Sequence, residues 1–329
     1  MASVGPVTAR SRTLGLVPAA ALAAAGATDG ITLATRSHPA QTAALKPRAG
    51  FPPLYLDLGV RTDPAARAIR HGSDLYAHGS YAAALQVFDS RPELEAQVGA
   101  ALAGWPAGTI QRLEALAAAH PASAVVRLNL GIAEFWAGQG PPAVSAWRDA
   151  VRVEPDSPAA VSADTFLHPE FAPNLPFFVP SFPPPPGLDR LPPARQLDEL
   201  AQRARTGGAH EQLLYGIALQ RLGRPVSAER AFAAAARVAP ADPDARVAAA
   251  VGLFSKADPT RAFARLGPLT ARFPRAATVR FHLGELLLWT RQLAKARRQF
   301  QLAVQDAPGS QIGAEAQLFL NKLRGAGTS

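Results

Sequence analysis

The sequence predicts an all-α protein, a solenoid of antiparallel helix pairs, on three observations. The chain is Ala-rich and Pro-punctuated, with 31 Pro and 26 Gly in 329 residues and 48% hydrophobic residues. That composition suits short helices separated by turns. A fixed set of small and large residues recurs along the chain at a spacing of about 34 residues, the sequence signature of a stacked repeat. Each clear copy closes on a proline, Pro155, Pro240 or Pro308, which cannot continue a helix. The absence of Cys excludes disulfides, thiolate metal sites and a cysteine nucleophile. The hydrophobic fraction excludes a wholly disordered chain.

From the N-terminus, Arg10 and Arg12 precede an uncharged apolar run, Thr13 to Thr28, with small residues at 23–27. Basic start, apolar centre and small-x-small site together read as an export signal. Residues 1–35 are therefore expected to be a signal peptide or signal anchor. An anchor needs about 20 apolar residues and Asp29 interrupts it, while a cytosolic Ala-rich tail is the remaining alternative. Residues 36–63, with Pro39, Pro47, Pro52 and Pro53, read as an extended linker.

The repeats occupy 64–325. Aligning 128–155, 213–240 and 281–308 brings Gly131, Gly216 and Gly284 together. In the same alignment Ala143, Ala228 and Ala296 coincide, as do Trp147, Phe232 and Phe300, then Ala150, Ala235 and Ala303. A copy ending at Pro274 keeps Ala262 and Leu266 but has Ala250 for the Gly, and one ending at Pro121 has Thr109 and Leu113. A first, shortened copy carries Gly72, Ala84 and Phe88. Between Pro155 and Pro240 the register leaves room for a degenerate repeat, helices near 158–167 and 193–206, interrupted by a Pro- and Phe-rich insertion at 168–192. Residues 311–324 form an amphipathic helix able to cover the last repeat, as terminal units require. The division expected is 64–167, 168–192 and 193–325.

This pattern resembles the tetratricopeptide repeat (TPR), whose unit carries Leu-Gly, a small Ala, a large aromatic four residues later and a closing Pro. The resemblance implies a right-handed solenoid and a non-catalytic scaffold for protein–protein interaction. In that family the first helices line a concave groove. The matching positions here are Leu128, Ile132, Phe135, Trp136, Gln220, Arg221, Val251, Phe254, Phe281, Glu285, Leu288 and Trp289. So apolar a groove suits an apolar or amphipathic partner segment, or else packs against the chain itself, with the insertion as the plug. Five Phe in or beside the insertion, Phe166, Phe171, Phe177, Phe178 and Phe182, favour docking, with at least three buried against Phe135, Trp136 and Phe254. The alternative is a presented ligand, since FPPPP at 182–186 resembles segments that EVH1 domains bind. The Lys and Asn set with which some family members hold a terminal carboxylate does not occur at these positions.

No catalytic constellation emerges: the chain has no P-loop, GxGxxG, GxSxG or HExxH, and His210-Glu211 lacks a second His at the required spacing. His71 and His78 have no third ligand nearby. No enzyme activity, cofactor or metal is expected. Net charge is +9 with only four Lys among 34 basic residues. Residues 51–189 carry 8 basic and 14 acidic side chains, and 190–329 carry 21 and 10. The basic half admits an acidic partner or, as the alternative function, a cytosolic module that binds nucleic acid or another polyanion. Nucleic acid itself is disfavoured because the aromatics sit at interior or groove positions rather than along a basic stripe. The expected whole is a bacterial scaffold, exported or membrane-anchored and facing outside the cytoplasm.

Overall fold

The computed structural model describes residues 46–325; the expected signal segment and the first part of the linker lie outside the described residues. Among the described residues there is no strand, and the helices pair antiparallel in chain order. The first three pairs are α1 (Pro64–Ala77) with α2 (Tyr81–Asp89), α3 (Leu94–Ala103) with α4 (Thr109–Ala119), and α5 (Ala124–Trp136) with α6 (Gly140–Val153). Then come α7 (Pro158–Leu167) and, beyond the insertion, α8 (Pro193–Thr206). The pairing resumes with α9 (Ala209–Arg221) and α10 (Pro225–Val238), and with α11 (Pro243–Val251) against α12 (Thr260–Leu266) and α13 (Leu269–Arg272). The last pair is α14 (Ala277–Trp289) with α15 (Leu293–Asp306), followed by α16 (Gln311–Gly325). Gly267 and Pro268 divide α12 from α13, because proline supplies no N–H to carry the helical ladder through.

The aligned small residues sit where helices cross. A Cβ on Gly284 would lie 2.8 Å from Phe300 and one on Gly72 would lie 2.7 Å from Phe88; Gly131 and Gly216 are crowded in the same way by Trp147 and Phe232. Each aromatic of a second helix thus fills the space that a missing side chain leaves on the first, which is close packing of a knob into a fitted gap. Ala143, Ala150, Ala228, Ala235, Ala296 and Ala303 are all buried. Thr109, at the small position of the second pair, is buried too, and its hydroxyl donates to Ala101 O at 2.9 Å. Helix starts follow the local code: Asp63, Ser123, Ser157 and Asp242 cap α1, α5, α7 and α11 with their side-chain oxygens, satisfying otherwise orphaned N–H groups.

The stack is interrupted once. The helices expected to form the degenerate repeat do not pack as a pair: α7 packs on α5 and α6, and α8 on α9. Instead α7 closes a first half and α16 closes a second, and the two are built alike. Ser157 and Ser310 each donate to a carbonyl of the preceding turn at 2.8 Å and accept from the N–H three residues on at 3.1 Å. Phe166 then packs on Trp147, with ring centroids 5.1 Å apart, and Phe319 packs on Phe300 at 5.0 Å. Among the described residues two large hydrophobic cores follow, one reaching from Leu58 to Phe166 and one from Phe178 to Leu320, with a small third cluster of Leu188, Leu200, Leu214 and Ala218 where α8 meets α9. The described residues form a tandem of two three-pair half-solenoids, each with its own closing helix, and α8 leads into the second.

Polar contacts join the halves. Ser227, at the start of α10, donates to Asp156 through both its N–H (3.0 Å) and its hydroxyl (2.6 Å). Arg224 reaches Asp156 O at 2.7 Å and Asp57 Oδ2 at 3.2 Å. Lys256, buried at the junction, donates to Thr165 Oγ1 at 2.9 Å. Burial pushes the Lys256 amine down to about 8 and raises the pKa of the neighbouring Asp164.

Candidate functional site

Each half has a concave face formed by its first helices, and in each half an extended stretch of the chain's own backbone lies along it. In the N-terminal half the stretch is 48–58. Arg48 N–H donates to Trp136 O at 2.8 Å, and its guanidinium lies over the rings of Phe135 (4.5 Å) and Trp136 (5.1 Å). Phe51 stacks on Tyr81, and Tyr76 Oη donates to Pro52 O at 2.6 Å. Asn129, fully buried in α5, accepts from Tyr55 N–H at 3.1 Å and donates to Tyr55 O at 2.7 Å. Residues 48–58 of the extended linker expected at 36–63 are therefore docked. A segment whose main chain meets a buried amide and whose prolines lose little freedom has reason to stay down.

In the C-terminal half the stretch is 172–182, from the insertion. Ala172 N–H donates to Trp289 O (3.1 Å), and Trp289 Nε1 donates to Asn174 O (3.3 Å). Gln220 reads both sides of Phe177, accepting from Phe178 N–H at 2.9 Å and donating to Pro176 O at 3.3 Å. Glu285 accepts from Phe177 N–H at 2.8 Å, His282 Nε2 from Val179 N–H at 2.9 Å, and Asp244 from both the N–H (2.9 Å) and the hydroxyl (2.6 Å) of Ser181. His282 Nδ1 lies 2.7 Å from Thr278 O. That contact places the proton on Nδ1 and leaves the Nε2 lone pair for the segment. Burial holds the imidazole down at about 4 and pushes the Glu285 carboxyl up to about 8.

The two segments are bound in the same register. Arg48 and Ala172 meet the carbonyls of the aligned Trp136 and Trp289, and Tyr55 and Val179 meet the aligned Asn129 and His282. Between these anchors Gly50 (φ 78°) and Asn174 (φ 61°) are both left-handed, residue types that tolerate that conformation. Two residues on, Pro52 and Pro176 are both buried.

The expected groove residues divide by this geometry. Gln220, Glu285 and Trp289 touch the insertion segment; Phe135 and Trp136 touch the N-terminal one. Phe281 does not face the groove: it packs on Phe300 and Phe319 in the core behind it. Leu128, the aligned residue, and Ile132 are fully buried in the N-terminal core, and Leu288 is half-buried against the C-terminal one. The main-chain readers that sequence reasoning missed are Asp244 of α11 and, one position after Leu128 and Phe281, Asn129 and His282. The last two each stood out as a polar residue within an apolar helix. The insertion docks on α9, α11 and α14 rather than against Phe135 and Trp136. Fewer than the three expected are buried: Phe178 in the groove and Phe166 within α7, while Phe171, Phe177 and Phe182 are half-buried, because one side of an extended segment in a groove stays uncovered. Phe178 stacks on His282 and meets Phe232 edge-on, while Phe182 stacks on His210.

Arg221, Val251 and Phe254 line a cleft of about 1240 Å³ between the halves, whose opposite wall includes Leu54 and Leu56. Burial lowers the Arg221 pKa to about 10. Among the described residues no group of three or more His, Asp or Glu side chains is placed to hold a metal ion, and no helix is long and apolar enough to cross a membrane.

No family model and no curated protein matches the chain. Solved structures similar to it include a tetratricopeptide repeat protein from Parabacteroides merdae, 12% identical over 79% of this chain and 98% of its own, with a TM-score of 0.33. Others are the APC/C hetero-tetramer Cut9-Hcn1 (15%, 81% and 50%, TM-score 0.32) and yeast Tom70 (12%, 79% and 53%, TM-score 0.30). The chain spans about half the length of the latter two. The TPR-like architecture rests on the glycine–aromatic crossings and the helix pairing described above.

Proposed function

We propose that the protein is a non-catalytic, TPR-like scaffold that holds a partner protein by an extended apolar or amphipathic segment, exported or anchored at the membrane through residues 1–35. The observation that carries this reading is that both concave faces bind extended backbone through side-chain hydrogen bonds, so the folded halves are receptors for such segments. The test is in-cell crosslinking at Leu288, followed by purification and mass spectrometry, with the N-terminus of the recovered chain read in the same sample. One recurrent protein adduct and a chain processed near residues 25–28, or retained in the membrane fraction, support the reading. Adducts of the chain with itself alone would count against it.

A second reading is a cytosolic module for nucleic acid or another polyanion. It is favoured by exposed cations on the outer helices of the C-terminal half, Arg230 and Arg237 of α10, Arg261 and Arg265 of α12, and Arg297 and Arg298 of α15. Co-purifying nucleic acid in place of a protein would support it.

A further inference from the structure

The insertion segment is held differently from an ordinary core element. Its hydrogen bonds run mostly from its main chain to side chains, those of α9, α11 and α14 and, through Asn174 N–H to Thr165 Oγ1 at 3.1 Å, of α7, so the groove reads backbone more than sequence. The other half shows this tolerance directly: the same register positions accept RAGFPPLYLD there and APNLPFFVPS here, with only a left-handed residue and the following buried Pro in common. The fit is incomplete as well. Among the described residues Glu285 Oε2 and Asp244 Oδ1 meet no hydrogen-bond partner, although both residues are almost fully covered. Beyond Phe182 the chain runs through exposed Pro183, Pro184, Pro186 and Gly187. The flanking helices α7 and α8 pack on opposite halves, so the segment can leave without parting a helix pair.

We propose that residues 174–182 are an exchangeable internal ligand, occupying the C-terminal groove in place of a partner segment of the same chemistry. This rests on the scaffold reading and names its partner class. The partner segment is extended and uncharged, and it runs apolar residue, Pro, two aromatics, apolar residue, Pro. It carries main-chain or side-chain donors for Glu285, His282 and Asp244, and proline pre-orders it for binding. The tethered segment competes at the high local concentration of a short linker, roughly millimolar, and so sets the threshold that a partner must exceed.

The probe is a synthetic peptide of residues 171–183. The chain has no Cys, so Pro184→Cys gives one spin-label position in the exposed turn. Adding peptide to the full-length labelled chain is expected to raise the label's mobility saturably as the segment is displaced. A second chain, with 175–182 replaced by Gly and Ser, is expected to bind the fluorescent peptide about ten-fold or more tighter than wild type. A peptide with Ala in place of the Pro176 and Phe178 equivalents is expected to bind at least about ten-fold more weakly, since it loses a buried aromatic. Unchanged label mobility throughout the titration overturns exchange. So does a Gly/Ser variant that keeps its helical signal and binds no peptide. If that variant loses its helical signal, the label titration alone decides. Equal binding of the Ala peptide overturns the stated partner chemistry. A chain that yields a crosslinked partner yet refuses the peptide loses this proposal and keeps the scaffold; the opposite result loses the scaffold and keeps exchange.

Discussion

A buried acceptor must keep its lone pair, so proton binding and segment docking meet at His282 and Glu285. His282 stays neutral when buried, with a pKa of about 4 against an ordinary 6.5. Its contribution to stability is complete above about 6.5 and is lost as pH falls toward 4. Glu285 is shifted the other way, to about 8 from 4.5, so its contribution is complete below 4.5 and is lost as pH rises toward 8. Each changes stability by about 1.4 kcal/mol per pH unit within its window, and between 4.5 and 6.5 the two oppose and cancel. Glu285→Gln is therefore expected to uncover an acid-side loss in urea midpoints, and His282→Asn to leave only the alkaline-side loss. Asn129 already performs the His282 role in the other half without titrating. Identical pH profiles for wild type and both variants would contradict the buried pair. At the crossings, Gly284→Ala presses a Cβ on Phe300, and Ala228→Leu and Ala296→Leu overfill neighbouring gaps. Each is expected to destabilise by about 1 to 3 kcal/mol, read as a lower melting temperature.

Among the elements, the closing helices admit a paired comparison. Phe166 of α7 and Phe319 of α16 cover the last aromatic of their half. Phe166→Ala and Phe319→Ala are each expected to destabilise by about 3 kcal/mol or more. Thermal unfolding should detect either loss, and a full effect from Phe319→Ala with none from Phe166→Ala would mean that α7 is not a cap. The helices themselves were legible because their signals are local: small residue opposite aromatic at a fixed spacing, and proline at the close. The role of α7 was not, since the spacing between Pro155 and Pro240 is met equally by a split repeat or by a cap followed by a new start. Only packing distinguishes them, although the matching Phe-Leu at 166–167 and 319–320 already hinted at two closures. The docked segments were half legible. Their prolines and aromatics marked them as more than spacers, but the buried Asn129 and His282 that hold them lie inside runs that read as core.

At the level of the whole molecule, charge is divided as the cores are. The acidic N-terminal half meets the basic C-terminal half through Asp57 and Asp156 on one side and Arg224 and Ser227 on the other. If the outer cations of α10, α12 and α15 bind a polyanion, retention on an anionic resin should fall steeply with salt, and Arg297→Glu with Arg298→Glu should shift elution to lower salt. Salt-independent retention would exclude electrostatics as its main cause. That α7 and α8 do not pack as a pair has a practical corollary. A polypeptide severed between His168 and Phe171 leaves every helix pair on one side of the cut, and each piece keeps the strand of backbone that fills its own groove. Two separately expressed fragments, 46–169 and 170–325, should each fold and recombine through Asp156 and Ser227, so that the junction behaves as a natural split site for reporting when the halves come together.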